Sequence, residues 1–147
     1  MELFTNDIRV SRAFKRHLFS KLIVELRPGL RVPYLNGVEG IDLPHQHDGQ
    51  FHLHYSEWSY YCAPWGRRTG KTIAAAAELL AQLCVPGSRC WIIAPTYKLT
   101  DRVFNYLWQW IVVDEVLGPA SEVCTKKSFT RDNRVIHLKW GSFIEGS

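Results

Sequence analysis

The sequence predicts a three-layer α/β domain with a mainly parallel sheet, and three observations carry that prediction. An aromatic, strand-like run at residues 58–63 leads through a glycine-bearing loop into an alanine-rich helical run at 71–83. A second apolar run, 89–95, follows at a crossover's distance, and a further helical periodicity begins at Leu99. Strand, loop, helix, strand, helix is the order that lays parallel strands side by side and covers them with helices.

Each element has its own local reason. Residues 7–26 read as a basic amphipathic helix, with Val10, Phe14, Leu18 and Leu22 on one stripe and Arg-Pro-Gly at 27–29 as its stop. Its stripe is expected to pack on the domain that follows. Residues 28–50 carry three prolines and four glycines and read as a connector, so the expected division is 1–44, helix and connector, and 45–147, the compact domain. "WSYYCA" at 58–63 is aromatic and ends at Pro64, which suits a short strand. Lys71 to Leu83 holds strong helix formers and no breaker until Pro86-Gly87. "RCWIIAP" at 89–95 reads as a buried strand. Leu99, Val103, Leu107 and Ile111 recur every four residues, which predicts a helix running to about Gly118-Pro119. The tail alternates around a polar Arg-Asp-Asn turn and a Gly-Ser break, the pattern of a strand pair.

The chain has 147 residues, enough for one domain with a real core, and its composition of 46% hydrophobic and 22% charged residues excludes a wholly disordered chain. The net charge of +4 is unevenly placed. Residues 1–40 hold seven bases against four acids, and 124–139 hold five (Lys126, Lys127, Arg131, Arg134, Lys139) against Asp132 alone. Such patches suit a polyanionic partner as well as a solvated surface. Four cysteines without C-x-x-C pairs signal neither a zinc ribbon nor a disulfide framework. No apolar run of signal or spanning length interrupts the charged N-terminus, so the expectation is a cytoplasmic protein with no membrane contact.

The chemistry is concentrated in "GRRTGKT", residues 66–72. A phosphate-binding P-loop wraps backbone N–H groups around phosphates at a helix N-terminus, with glycines allowing close approach, and has the form G-x-x-x-x-G-K-[ST]. Gly70, Lys71 and Thr72 match its end, but Trp65 holds the first-glycine position and Gly66 stands one place later. The context of a strand before and a helix after favours the match. On that reading Lys71 contacts the β and γ phosphates and the Thr72 hydroxyl holds Mg²⁺.

These residues resemble the deviant Walker A of viral large terminase subunits, the ATPases that package DNA into procapsids. "CWIIAPTYKLTDRVFNYLW" resembles the family's second strand and the segment after it, and "LKWGSFIEGS" resembles the strand and Gly-Ser turn ahead of its Walker B strand. The resemblance covers about residues 45–147 and implies a three-layer P-loop NTPase of the RecA-like (ASCE) kind, with ATP and Mg²⁺ as cofactors. It further implies that Gln50 contacts adenine and that Gly66, Arg67, Arg68, Thr69, Gly70, Lys71 and Thr72 wrap the triphosphate. Arg67 matches the position of a cis arginine finger, whose guanidinium would neutralise charge on the transferred phosphoryl group. The implied partners are double-stranded DNA, a portal protein, a small terminase subunit and further copies of the chain. A helicase-like translocase and a non-catalytic nucleotide- or DNA-binding module are the alternative readings.

"WIVVDEV" at 110–116 has the form of a Walker B strand, in which Asp114 would hold Mg²⁺ and Glu115 would activate water. The helical stripe from Leu99 runs into it without a breaker, however, and Gly118-Pro119 stops a helix, so a helix end with two solvated carboxylates is the expectation. The resemblance agrees, placing Walker B after the Gly-Ser turn. It implies that the Mg²⁺-binding aspartate, the catalytic glutamate, the coupling motif and a nuclease domain lie beyond Ser147, and that these residues hold nucleotide weakly and hydrolyse it poorly.

His45, His47, His52 and His54 form two H-x-H pairs, but their spacing matches no zinc module and they are read as loop and sheet-edge residues. The six tryptophans, Trp91, Trp108, Trp110 and Trp140 among them, can stack on bases but are read mainly as packing residues.

Overall fold

The computed structural model describes residues 23–27, 30–33, 53, 60–64 and 70–147. Its first element is a hairpin of β1 (Ile23–Arg27) and β2 (Leu30–Pro33), antiparallel, with Val24 opposite Val32 and Arg27 opposite Leu30. The expected helix over 7–26 is therefore wrong at its end, since residues 23–26 are strand; its residues 7–22 lie outside the described ones. Ile23, Val24 and Val32 are β-branched residues, which favour strands.

The remaining elements are α1 (Lys71–Leu83), β3 (Arg89–Ile92), α2 (Tyr97–Trp108) with a π turn over Gln109–Val113, α3 (Ala120–Val123), β4 (Cys124–Phe129), β5 (Arg134–Leu138) and β6 (Phe143–Gly146). The sheet order is β3-β6-β5-β4, with β3 and β6 parallel and the other two pairings antiparallel. The chain is thus mixed α/β with a partly parallel sheet. The expectation of a mainly parallel sheet is corrected, because the tail forms a meander instead of further crossovers. Among the described residues, α1 and α2 share one face of the sheet and form a single core with it. Residues 60–63, expected as a strand, form none, and Tyr60 is 93% exposed.

Small residues let α1 approach closely. Ala74, Ala76, Ala77 and Ala81 are buried beside Leu80 and Leu83, on the face that meets α2 and β3. In α2 the buried positions are Thr100, Phe104 and Leu107; of the predicted stripe, Leu107 and Ile111 are buried, while at its start Leu99 is 40% exposed and Thr100 and Phe104, one step round, are buried instead. Phe104 wins because its ring packs against Phe129, 5.0 Å between centroids, and Trp108 at 6.5 Å. Along β3, Cys90 and Ile92 are buried, while Trp91 and the following Ile93 are exposed.

The far end of the sheet is tied to α2. The buried Thr100 hydroxyl donates to the Ser147 carbonyl at 2.7 Å, and Ser147 N–H donates to the Ile92 carbonyl at 2.9 Å. Gly146 allows this contact, since a Cβ there would lie 2.8 Å from Thr100 Cγ2. Arg134, buried beneath the same end, pairs with Asp101, donates to the Arg131 carbonyl and stacks on Tyr97. Donating a hydrogen bond to the Asp101 carboxylate holds its guanidinium above the ordinary arginine range.

Burial raises the thiols of Cys84, to about 12, and of Cys90 and Cys124. The sign follows from linkage: above the unfolded thiol's pKa, near 9, the unfolded state has lost protons that the folded state keeps, so stability falls as pH rises from about 9 towards 12. Urea melts at pH 7.5 and 10.5 should show the drop, and substituting Cys84 by Ala should reduce the difference between them.

Candidate nucleotide-binding site

Gly70 occupies the N-cap of α1 at φ 81°, ψ 21°, a left-handed conformation that costs a non-glycine L-residue roughly 1–2 kcal/mol. From there the chain enters the helix, and Ala74 N–H donates to the Gly70 carbonyl at 3.1 Å. Gly70 has no side chain with which to cap this end, and no acid lies in the first turn. The first-turn amides and the helix dipole therefore favour an anion at this point. Lys71 is exposed and Thr72 half-buried, adjacent in the first turn, while Ile73 and Ala74 anchor that turn in the core. A cation and a hydroxyl thus stand beside the amide cluster on a fixed support.

α1 leads through a short turn into β3 and packs on it, so it runs back along the strand. Its N-terminus accordingly faces the carboxyl end of the parallel β3–β6 pair, where open α/β sheets bind ligands. Its other end is fastened. Trp140 Nε1 donates to the Leu83 carbonyl at 2.7 Å, Ser142 Oγ donates to the Val85 carbonyl at 2.6 Å, and Gly87 N–H donates to the Trp140 carbonyl. The Gly-Ser turn noted in the sequence is the β5–β6 connection that makes these bonds.

Of the site residues expected from sequence, Gly70, Lys71 and Thr72 are brought together at this helix start. Gln50, Gly66, Arg67, Arg68 and Thr69 lie outside the described residues, as do His45, His47, His52 and His54. Among the described residues no group of three metal-ligating side chains converges, and no helix is long and apolar enough to cross a membrane.

The run 110–116 is not a strand. Gln109–Val113 is a π turn that continues α2, with Asp114 N–H donating to the Gln109 carbonyl at 2.8 Å and both Trp110 and Ile111 buried. The widened turn brings these two side chains into the core together. The carboxylates are exposed, yet each has a local partner. Asp114 accepts from Gln109 Nε2 at 3.2 Å, and Glu115, at φ 53°, accepts from Ala120 N–H at 3.2 Å at the start of α3. Sequence reasoning missed this capping role; the Glu-x-x-Gly-Pro spacing ahead of a short helix is the signal that could have found it. Glu115→Gln keeps the accepting oxygen and is expected to change stability by less than about 0.5 kcal/mol. It should also leave any phosphate release from ATP at the wild-type level, whereas a collapse in turnover would make Glu115 the water-activating group.

No family model matches the chain, and no solved structure matches it. Two curated proteins do. The large terminase subunit of Thermus virus P23-45 is 36% identical over 78 residues, 52% of this chain and 16% of that protein. The large terminase subunit of Thermus phage G20c is 35% identical over 78 residues, with the same coverage. The chain thus spans about a sixth of the aligned relatives' length. Over about half its length, including the Gly-Lys-Thr that opens α1 within the chain, the sequence is thus similar to part of the large terminase subunits of these two Thermus viruses.

Proposed function

We propose that residues 66–72 form the triphosphate cradle of a DNA-packaging ATPase of the P-loop kind. The observation that carries this reading is the start of α1, where left-handed Gly70 is followed directly by Lys71 and Thr72. The donor set fits the ligand: backbone amides and an ammonium suit phosphate oxygens, and a hydroxyl beside them suits a hard divalent cation. Lys71 would neutralise the β and γ phosphates, and Thr72 would offer its oxygen to Mg²⁺. Bound Mg²⁺ would supply charge neutralisation between the phosphates. Gln50 would orient adenine, and Arg67 would face the transferred phosphoryl group. Similarity to the large terminase subunits supports double-stranded DNA as the partner moved, with portal protein, small subunit and further copies of the chain as the assembly. The host cytoplasm is the proposed setting.

A titration with a fluorescent ATP analogue in Mg²⁺, chased with unlabelled ATP, tests the reading. Saturable signal that ATP displaces and that phosphate alone does not is the expected result. Absence of any saturable signal at millimolar nucleotide would overturn it.

A further inference from the structure

We propose that the sheet face turned away from α1 and α2 is a stacking platform for unpaired nucleic acid. The register places Arg89 beside Phe143, Phe143 beside His137, and His137 beside Lys126, one residue from each of the four strands. This row belongs to the face opposite α1 and α2, because its neighbours along the strands, Cys90, Ile136 and Ile144, lie in the core; on that face Val135 of β5 is itself buried, and the open part is the Trp91 side and the two ends of the row. At strand spacing the row is about 14 Å long. Its two ends are cationic and exposed, and its middle is aromatic. His137 and Phe143 are stacked, 5.1 Å between centroids and 15° between planes. Trp91 stands edge-on to Phe143 at 6.0 Å and is 55% exposed, so much of the indole faces solvent.

The chemistry selects the partner. An exposed indole beside a stacked pair offers π-faces that any base can cover, and Arg89 and Lys126 flank them as phosphate contacts; four-stranded sheets carrying aromatics bind single strands in this way. Paired bases cannot accept such stacking, since their faces are occupied by neighbours in the duplex. A purely apolar partner would leave the two cations without counter-charge. Glu145, opposite Trp91 in the adjacent row, directs phosphates away from the centre and towards the Arg89 and Lys126 ends. Binding at this platform requires no ATP.

Fluorescence anisotropy with a labelled oligothymidine of about twenty nucleotides, in the absence of nucleotide, tests the proposal. The full chain should bind it more tightly than a duplex of equal length. Trp91→Ala should weaken binding roughly tenfold, and Trp91→Phe should restore most of the loss. Replacing Arg89 and Lys126 together by Ala should reduce the salt slope by roughly one or more, and Glu145→Gln should tighten binding. Far-UV circular dichroism of each variant separates a lost contact from a lost fold, and the paired Arg89 and Lys126 variant keeps the test decisive if Trp91→Ala does not fold. Failure to bind the oligomer, preference for the duplex, or equal binding by folded Trp91→Ala would overturn the platform. So would a dimer in sedimentation that Trp91→Ala dissolves while the oligomer goes unbound, since the face would then belong to a second copy of the chain.

Discussion

Lys71→Ala is expected to abolish measurable ATP binding. The ammonium is the side-chain cation that the described start of α1 brings to the proposed phosphates, and a hydrogen bond between charged groups contributes about 1.5–3 kcal/mol, or roughly ten- to a hundredfold in affinity. A weak site loses its measurable range at that factor. The substitution should leave the fold intact, because Lys71 is exposed and alanine is the better helix former. Isothermal titration of ATP·Mg²⁺ into wild-type and variant chains, paired with thermal melts, reads both quantities. Unchanged affinity in the variant would remove the P-loop assignment, since no other feature of Gly70–Thr72 supplies positive charge.

Phe104→Ala is expected to cause the largest loss of stability, about 3–5 kcal/mol. The ring is fully buried where α2 meets the sheet and touches both Phe129 of β4 and Trp108 of α2. Its removal leaves a cavity between two elements that cannot close without moving the hairpin. A domain held by 5–15 kcal/mol would lose much of its margin. Urea denaturation should show the midpoint falling with little change in slope. Leu99→Ala, on an exposed position of the same helix, should cost well under half as much, which separates the observed buried face from the one that the four-residue repeat suggests.

α1 was legible to the residue because its composition is uniform and its ends are marked by Gly70 before it and Pro86-Gly87 after it. β3 and the β4–β5 hairpin were legible for similar reasons, a β-rich run in the first and a polar Arg-Asp-Asn turn in the second. The direction of the later strands was not, because an alternating run such as "RVIHL" has the same form whether it pairs parallel or antiparallel with its neighbours. The π turn was half legible: the unbroken period announced that the helix continues into 110–113, while the change of winding there depends on Trp110 and Ile111 both finding room in the core. Of the site, sequence located Gly70, Lys71 and Thr72 through their chemistry. It could not locate the row from Arg89 to Lys126, since its members are up to 54 residues apart and meet only through sheet register.

The bonds from Trp140 and Ser142 to the last turn of α1 make that helix a strut with a fixed foot. A load applied to its glycine tip is carried down the rod to the β5–β6 bend rather than dissipated in a slack joint. Rotation of the rod must either drag Trp140 along or break its bond to Leu83, so twisting at one end of the sheet becomes displacement at the other.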